Sequence, residues 1–282
     1  MTFESGRRRS LSVGTSSIFV SGRRGTAAHS TKVAMVAPIL ALGPAAAHAA
    51  PEEIQVYMDE RGAPGEVGLD IHNNYVLSGD SELDYPGQRQ SPHQFRITPE
   101  FALGLSDHFE LGAYLPLAAI DYHGRFTVDG VKFRLKYVGS ERDASWFWGA
   151  NFEIGRVRHA LDPNPYNAEF KLIGGMRSGR WTLAANANMD FTVSGPAAAP
   201  ASLEIATKAS YAVTTAFSLG VENYNGVGEF KRLGRLGSSE QSTYLVADTH
   251  VGKWDLNLGV GRGYGANRDR WTVKAIIGVP LR

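Results

Sequence analysis

Two short Asp-x-His stretches come closest to catalytic pairs in this sequence of 282 residues. They are "DYH" at Asp121 to His123 and "DTH" at Asp248 to His250. An aspartate that orients a histidine can help it to activate water for hydrolysis. The spacing is common by chance, however, and the second pair lies deep in a predicted strand. The chain has no cysteine, which excludes cysteine nucleophiles, thiolate metal sites and disulfides. We therefore predict no catalytic residues and no enzyme activity.

A second group of reactive side chains is a basic row, Lys132, Arg134 and Lys136, at every second position of "VKFRLKY". In a strand these three side chains point to one face. Glu153 on the next predicted strand and Glu110 on the preceding one are the nearest carboxylate candidates. The row either orients a charged solute or forms a network of buried ion pairs, since inward polar groups need partners. Both interpretations stay open at this point.

The elements that position these residues are β-strands. From Gly65 onward apolar and polar residues alternate with period 2, which predicts strands rather than helices. Tight turns alternate with longer connections rich in Gly, Pro and charge, as in an up-and-down meander, whereas a Greek-key sandwich would mix the two classes. The predicted strands are 67–78, 94–105, 109–119, 130–138, 145–157, 168–177, 181–193, 203–213, 216–225, 243–251, 254–261 and 270–281.

The two strand faces differ in chemistry. One carries Leu, Ile, Val, Phe and Trp, and Arg156 is its only charge, whereas the other carries most of the charged residues. A lysine or arginine on the lipid face costs roughly 2–4 kcal/mol at mid-bilayer, so the apolar face suits lipid. The polar face then lines a lumen, and its predicted pore-lining residues are Arg96, Glu100, Lys132, Arg134, Lys136, Glu153, Lys171, Asp190, Lys208, Glu222, Asp248 and His250.

Aromatic residues collect on the apolar face beside the tight turns. Such a collection is typical of an interfacial girdle at a membrane surface, and the sequence predicts a sparser girdle at the opposite end, marked by Tyr75 and Trp271. The predicted periplasmic girdle consists of Trp146, Trp148, Trp181, Trp254, Tyr137 and Tyr211.

Metal and phosphate sites find little support in the sequence. His72 with Asp70 and His250 with Asp248 would meet only if the first and tenth strands were neighbours, which a twelve-strand meander forbids. The stretches "GVGE" and "GRGYG" do not open a helix, so we interpret them as loop glycines. We predict neither a metal nor a cofactor.

The N-terminus predicts export. Basic residues up to Lys32 precede the apolar run Val33 to Ala47, and Ala47 to Ala49 forms an A-x-A cleavage site, so residues 1–49 are a predicted signal peptide. Cleavage after Ala49 removes six of 29 basic residues and one of 28 acidic residues, which leaves a net charge of −4 and gives no reason to expect nucleic acid as a partner. Residues 50–64 are predicted to be a periplasmic extension or a plug in the lumen.

One hairpin carries a family resemblance. "TPEFALGLSDHFELGAYLPL", Thr98 to Leu117, resembles the Pro-Glu-x-x-x-Gly hairpin of Gram-negative outer-membrane barrels in the transporter family named after the meta-pathway of phenol degradation. The resemblance implies transport of hydrophobic or aromatic solutes. Because proline cannot donate a ladder hydrogen bond, Pro99 and Pro116 are predicted at bulges. The sequence ends in Leu281-Arg282, whereas such barrels usually end in an aromatic residue read by the assembly machinery.

These observations together predict an all-β protein, a transmembrane up-and-down antiparallel barrel of about twelve strands over residues 65–282. We expect it in the outer membrane as a monomer, with lipid, the barrel-assembly machinery and a small solute as partners. Its predicted function is a channel or transporter for small solutes. The alternative is a closed structural or surface-interaction barrel without transport.

Overall fold

Antiparallel strands make up most of the described chain. A computed structural model describes residues 53–197, 200–234 and 239–281, and the predicted signal peptide, 1–49, lies outside them. The strands are β1 (Val67–Gly79), β2 (Phe95–Gly104), β3 (Phe109–Ile120), β4 (Phe126–Val138), β5 (Trp146–Val157), β6 (Tyr166–Ser178), β7 (Trp181–Ser194), β8 (Ser202–Ala212), β9 (Phe217–Glu229), β10 (Arg232–Leu233), β11 (Glu240–Val251), β12 (Trp254–Gly265) and β13 (Asp269–Pro280).

The twelve long strands form a closed barrel. Each pairs with its neighbours in sequence, and β10 is a two-residue strand that pairs only with β9, so that β9 pairs onward with β11. β1 and β13 close the circle in antiparallel register from Gly68 opposite Pro280 to Gly79 opposite Asp269. Closure leaves no free sheet edge, which is what a sheet in lipid requires. The predicted all-β twelve-strand barrel is therefore confirmed.

The exterior of the barrel is apolar. Along β4, Phe133 and Leu135 are half exposed, whereas the alternate residues Arg134 and Lys136 are buried. Successive side chains of a strand point to opposite faces, so the apolar residues point outward and the basic residues inward. At the end with the short turns, Trp146, Trp148, Trp181 and Trp254 are exposed on the outside. Within the described chain, no helix is long and apolar enough to cross a membrane.

Strands extend further at the long-loop end than the alternation predicts. β4 begins at Phe126 rather than 130, and β12 continues to Gly265 rather than 261. The interpretation of "GVGE" and "GRGYG" as loop glycines is wrong, because "GVGE" lies in β9 and "GRGYG" lies in β12. The glycine at 261 faces the ring of Tyr244, where a larger side chain would overlap it.

The long-loop end also carries more aromatic residues than predicted. Tyr122, Phe126, Tyr166, Tyr264 and Trp271 are exposed there, so this girdle is not sparse. Phe126, Tyr166 and Tyr264 lie in parts of β4, β6 and β12 that the sequence pattern had assigned to loops, so the extended strands account for these three residues.

Both prolines of the hairpin lie where strand pairing is irregular. The β2–β3 register shifts between Ile97 and Glu100, which brackets Pro99, and the β3–β4 register shifts between Tyr114 and Leu117, which brackets Pro116. The Leu115–Pro116 peptide bond is cis. The strand pairing is therefore irregular beside both prolines, as predicted, although Pro99 pairs in regular register with Ile71 of β1.

Candidate functional site

The lumen contains most of the residues that the sequence assigned to it. Arg96, Glu100, Arg134, Lys136, Glu153, Lys171, Lys208 and Glu222 are buried inside the barrel, Lys132, Asp190 and Asp248 are partly buried, and His250 is exposed at the short-turn end. The alternation of the strands explains this arrangement, since every second side chain of a closed barrel points inward. The inner wall is therefore rich in charge of both signs.

Arg134 lies at the centre of one ion-pair cluster. Its Nε donates to Glu100 Oε1, and its Nη2 donates to Glu110 Oε1 at 2.8 Å. His72 Nε2 lies 3.0 Å from Glu100 Oε2. Gly112 is directly opposite Arg134 in the β3–β4 register, and a side chain there would collide with the guanidinium stem. Because Gly112 has no Cβ, it leaves room for the Arg134 side chain.

Glu153 binds different partners from those that strand order suggests. It is directly opposite Arg134 in the β4–β5 register, yet it accepts a hydrogen bond from Asn151 Nδ2 at 2.7 Å and lies 4.0 Å from Lys171 Nζ. Lys136 Nζ donates to the backbone oxygen of Glu60 at 2.6 Å. Arg134 and Lys136, two residues of the basic row, therefore bind different partners and do not face one acidic row.

A second cluster lies on the opposite wall around Glu222. Lys274 Nζ donates to Glu222 Oε2 at 2.5 Å, and Lys208 Nζ lies 3.3 Å from Oε1 of the same carboxylate. Tyr224 donates its hydroxyl to Glu222 at 2.9 Å, and Lys208 also binds Asp248 at 3.0 Å. The side chains of Glu222, Lys208 and Lys274 are almost completely removed from solvent, so the loss of one partner would leave another charge buried.

The N-terminal residues 53–62 lie inside the barrel and belong to no strand; we call them the luminal segment. The backbone N–H of Tyr57 donates to Asn186 Oδ1 at 2.7 Å, and Asn186 Nδ2 donates back to the Tyr57 carbonyl at 2.9 Å. Asp59 forms a two-point ion pair with Arg177, and Lys274 Nζ donates to the Ile54 carbonyl at 2.8 Å. Side chains of the wall therefore satisfy backbone groups of the luminal segment.

The phenol ring of Tyr57 is surrounded by cations. Lys171 Nζ lies 3.9 Å from the ring centroid, Lys136 Nζ 5.2 Å and the Arg134 guanidinium 5.8 Å. The Tyr57 hydroxyl is 2.6 Å from the Tyr114 hydroxyl. Cations over an aromatic face attract it, more strongly where water is excluded. Tyr57 thus fastens the luminal segment to β3, β4 and β6.

Apolar contacts and the barrel rim also hold the luminal segment. Ile54 and Val56 pack in a buried cluster with lumen-facing apolar residues of the wall, among them Phe147, Ile173 and Tyr244. At the short-turn end, Arg142 donates two hydrogen bonds of 2.9 Å to the backbone oxygens of residues 61 and 62. The luminal segment is therefore bound along its length.

Two cavities lie on either side of the luminal segment. One, of about 290 Å³, is on the long-loop side and is lined by residues such as Arg96, Lys132 and Asp190. The other, of about 680 Å³, is on the short-turn side and includes Lys208 and His250. Gln55 lines both. Burial and the neighbouring Asp162 carboxylate raise the pKa of Tyr85, a loop residue of the first cavity, so its phenol stays neutral.

The carboxylates of the two Asp-x-His stretches bind groups other than the histidine side chains. The Asp121 carboxylate accepts hydrogen bonds from the backbone N–H groups of His123 and Arg125, at 2.9 and 3.0 Å, and therefore stabilises its own turn. Asp248 is bound to Lys208 and Asn257. Both carboxylates have structural partners within the described chain.

Sequence reasoning missed several residues of the lumen. For Glu53, Tyr57 and Asp59 it left two alternatives open, a periplasmic extension or a plug in the lumen, because a segment without strand periodicity gives no signal of its location. It also did not single out Tyr114, although the alternation of β3 puts this residue on the inward face with Glu110. That alternation was the signal that could have identified Tyr114.

Comparison with solved structures supports the fold. No protein-family model matches the sequence, and no curated protein sequence is similar to it. An outer membrane channel from Pseudomonas putida F1 is 12% identical with a TM-score of 0.55, over 81% of this chain and 100% of that one. The NanC porin is 10% identical with a TM-score of 0.50, over 76% of this chain and 99% of that one. With its closed sheet and apolar exterior, the protein is an outer-membrane β-barrel.

Proposed function

We propose that the protein is an outer-membrane channel for small solutes and that the luminal segment is its plug. The observation that supports this most directly is the construction of the lumen. A segment outside the sheet lies between two polar cavities and is held there by hydrogen bonds, ion pairs and side-chain packing. Contacts of this kind can be broken without unfolding the barrel, whereas strand pairing cannot.

The lumen wall indicates a channel of weak charge preference. Arg96, Lys132 and Lys171 line the cavity on the long-loop side together with Glu153 and Asp190. Mixed signs at one level of a pore do not favour anions or cations strongly. The family resemblance of the Thr98–Leu117 hairpin suggests hydrophobic or aromatic solutes, and we retain that solute class as a hypothesis.

A closed structural barrel is the second candidate. The ion pairs around Arg134 and Glu222, together with the luminal segment, fill much of the interior between the two cavities. A barrel braced in this way could present its loops to external partners without passing solutes. The two functions differ in one measurable property, which is ion conduction.

Planar-bilayer recording of the purified protein tests the proposal. We would compare the wild-type chain, a variant lacking residues 53–61, and a variant in which those residues are replaced by an equally long Gly/Ser sequence. A plugged channel gives small discrete steps in the wild type and larger steps in both variants, because the variants lose the contacts that hold the luminal segment.

Heat-modifiable migration on a gel confirms that each variant is a folded barrel. If all three folded proteins are silent, the channel function is wrong and the closed barrel is correct. If all three conduct equally, the barrel is a channel but the luminal segment is not its plug.

A further inference from the structure

Three potential metal ligands meet where the luminal segment contacts the wall. Glu53 of the luminal segment, His72 of β1 and Glu100 of β2 place one ligand atom each within 4.8 Å of one another. His72 is 1% and Glu100 2% exposed. One imidazole and two carboxylates form a ligand set that suits zinc and similar divalent transition metals.

Polar atoms at this position lack partners. Among the described residues, Glu53 Oε1 is buried and has no hydrogen-bond partner. Thr98, which is directly opposite His72 in the β1–β2 register, is fully buried, and its hydroxyl also has no partner in the described chain. Buried polar atoms without partners cost free energy, and a bound ion or water commonly satisfies them. Thr98 is an observation independent of the three ligands.

The geometry requires only a small adjustment to bind a metal. Metal–ligand distances of about 2.0–2.2 Å in a tetrahedral site put neighbouring ligand atoms roughly 3.3 Å apart. His72 Nε2 and Glu100 Oε2 are already 3.0 Å apart. Glu53 is on a segment outside the sheet and can approach them without distorting the barrel.

Outer contacts already orient the two carboxylates. Arg134 donates to Glu100 Oε1, which leaves Oε2 on the side of His72. Tyr114 donates its hydroxyl to Glu53 Oε2 at 3.1 Å, so that Oε1 is the oxygen without a partner. Hydrogen bonds of this kind fix ligand orientation and strengthen metal binding.

We propose that Glu53, His72 and Glu100 bind one divalent transition-metal ion, which fastens the luminal segment to β1 and β2. The inference rests on the proposed role of the luminal segment as a plug and adds a regulator to it. Metal binding would favour the plugged state because one ligand is on the plug and two are on the wall. The sequence analysis predicted no metal site. It could not recognise Glu53 as a possible ligand, because nothing in the sequence brings residue 53 next to His72.

Titration calorimetry with zinc chloride on tag-free, folded protein in detergent tests the site. The informative variants are Glu53→Gln and His72→Gln. The matched controls are Glu60→Gln, which makes the same change at an exposed position of the luminal segment, and His123→Gln, in an exposed loop. Calcium chloride serves as a comparison ion, because calcium prefers sites made only of oxygen ligands.

We expect one zinc ion per chain, with affinity reduced about tenfold or more in both informative variants and unchanged in both controls. Calcium should not bind with comparable affinity. No zinc binding by the wild type, or equal zinc affinity in wild-type and Glu53→Gln protein, would overturn the proposal. Glu53→Gln keeps the test valid if His72→Gln misfolds, because residue 53 is outside the sheet.

Zinc added during bilayer recording separates this inference from the proposed function. We expect zinc to reduce the conductance of the wild type and not that of Glu53→Gln. If the protein binds zinc at these residues but never conducts, the metal site is supported and the proposed channel function is wrong. If the protein conducts but does not bind zinc, the channel function is supported and the proposed metal site is wrong.

Discussion

Buried charges inside this barrel depend on one or two charged partners each. Glu222 lies between Lys274 and Lys208 and is 1% exposed. Taking both ions of such a pair out of water costs several kcal/mol, and close pairing offsets that cost. The lumen is therefore stabilised by small clusters of opposite charges, and removing one charge has a large effect.

At this scale we predict the effect of Glu222→Gln on stability. The substitution leaves the buried Lys274 ammonium without its carboxylate, so we expect a loss of about 3–5 kcal/mol in the free energy of unfolding. Urea titration of the refolded protein in detergent, followed by heat-modifiable gel migration, measures it.

Glu141→Gln is the control, since Glu141 is exposed in a turn. Its effect should stay within about 0.5 kcal/mol. Equal stability of the two variants would show that Glu222 is not important for holding the lumen together.

At the scale of elements, the luminal segment depends on the strands that surround it. Its described residues pair with no strand. Instead, the side-chain amide of Asn186 on β7 forms hydrogen bonds with both the N–H and the carbonyl of Tyr57. Asn188, two residues further along the same inward face, donates instead to Glu204 at 3.0 Å. β7 thus carries one side-chain amide that binds the luminal segment and one that binds a neighbouring strand of the wall.

We predict that Asn186→Ala loosens the luminal segment and that Asn188→Ala does not. Two hydrogen bonds worth about 0.5–1.5 kcal/mol each are lost in the first variant. Hydrogen exchange measured by mass spectrometry should therefore become faster, about fivefold or more, in residues 53–61, while the strands keep their protection. Equal exchange in the two variants would contradict the prediction.

At the scale of the whole molecule, the barrel has a continuous apolar surface that faces lipid. The free-energy cost of a charge on this surface depends on its depth in the membrane. Leu172 is near the middle of β6 and points outward, while Val251 is the last residue of β11 at the short-turn end. The closed sheet fixes both positions relative to the membrane, because no strand can slide without breaking its pairing on both sides.

We predict that Leu172→Arg costs about 2–4 kcal/mol of folding free energy in lipid vesicles, whereas Val251→Arg costs about 0–1 kcal/mol. Both substitutions add the same charge on the outer surface, so their difference isolates depth. Urea-dependent folding into vesicles, monitored by tryptophan fluorescence, measures both. Similar costs would show that the two positions lie at the same depth.

Much of the lumen wall could be predicted from the sequence, whereas its pairing could not. Alternation identified Arg134, Glu100 and Glu153 as inward residues, because a period of two determines the face of a strand. It did not identify Glu100 rather than Glu153 as the partner of Arg134. Side-chain reach across two strands, and the space that Gly112 leaves, decide that choice.

The sequence by itself determined the all-β class, the number of long strands, the apolar exterior and the irregular pairing beside the two prolines. These follow from local periodicity and from the backbone chemistry of proline. Only the tertiary structure decided how far the strands extend, which charges pair, and that residues 53–62 lie in the lumen between two cavities. Such features depend on contacts between residues far apart in the sequence, from 24 positions for Arg134 with Glu110 to 129 positions for Tyr57 with Asn186, and no local pattern records them.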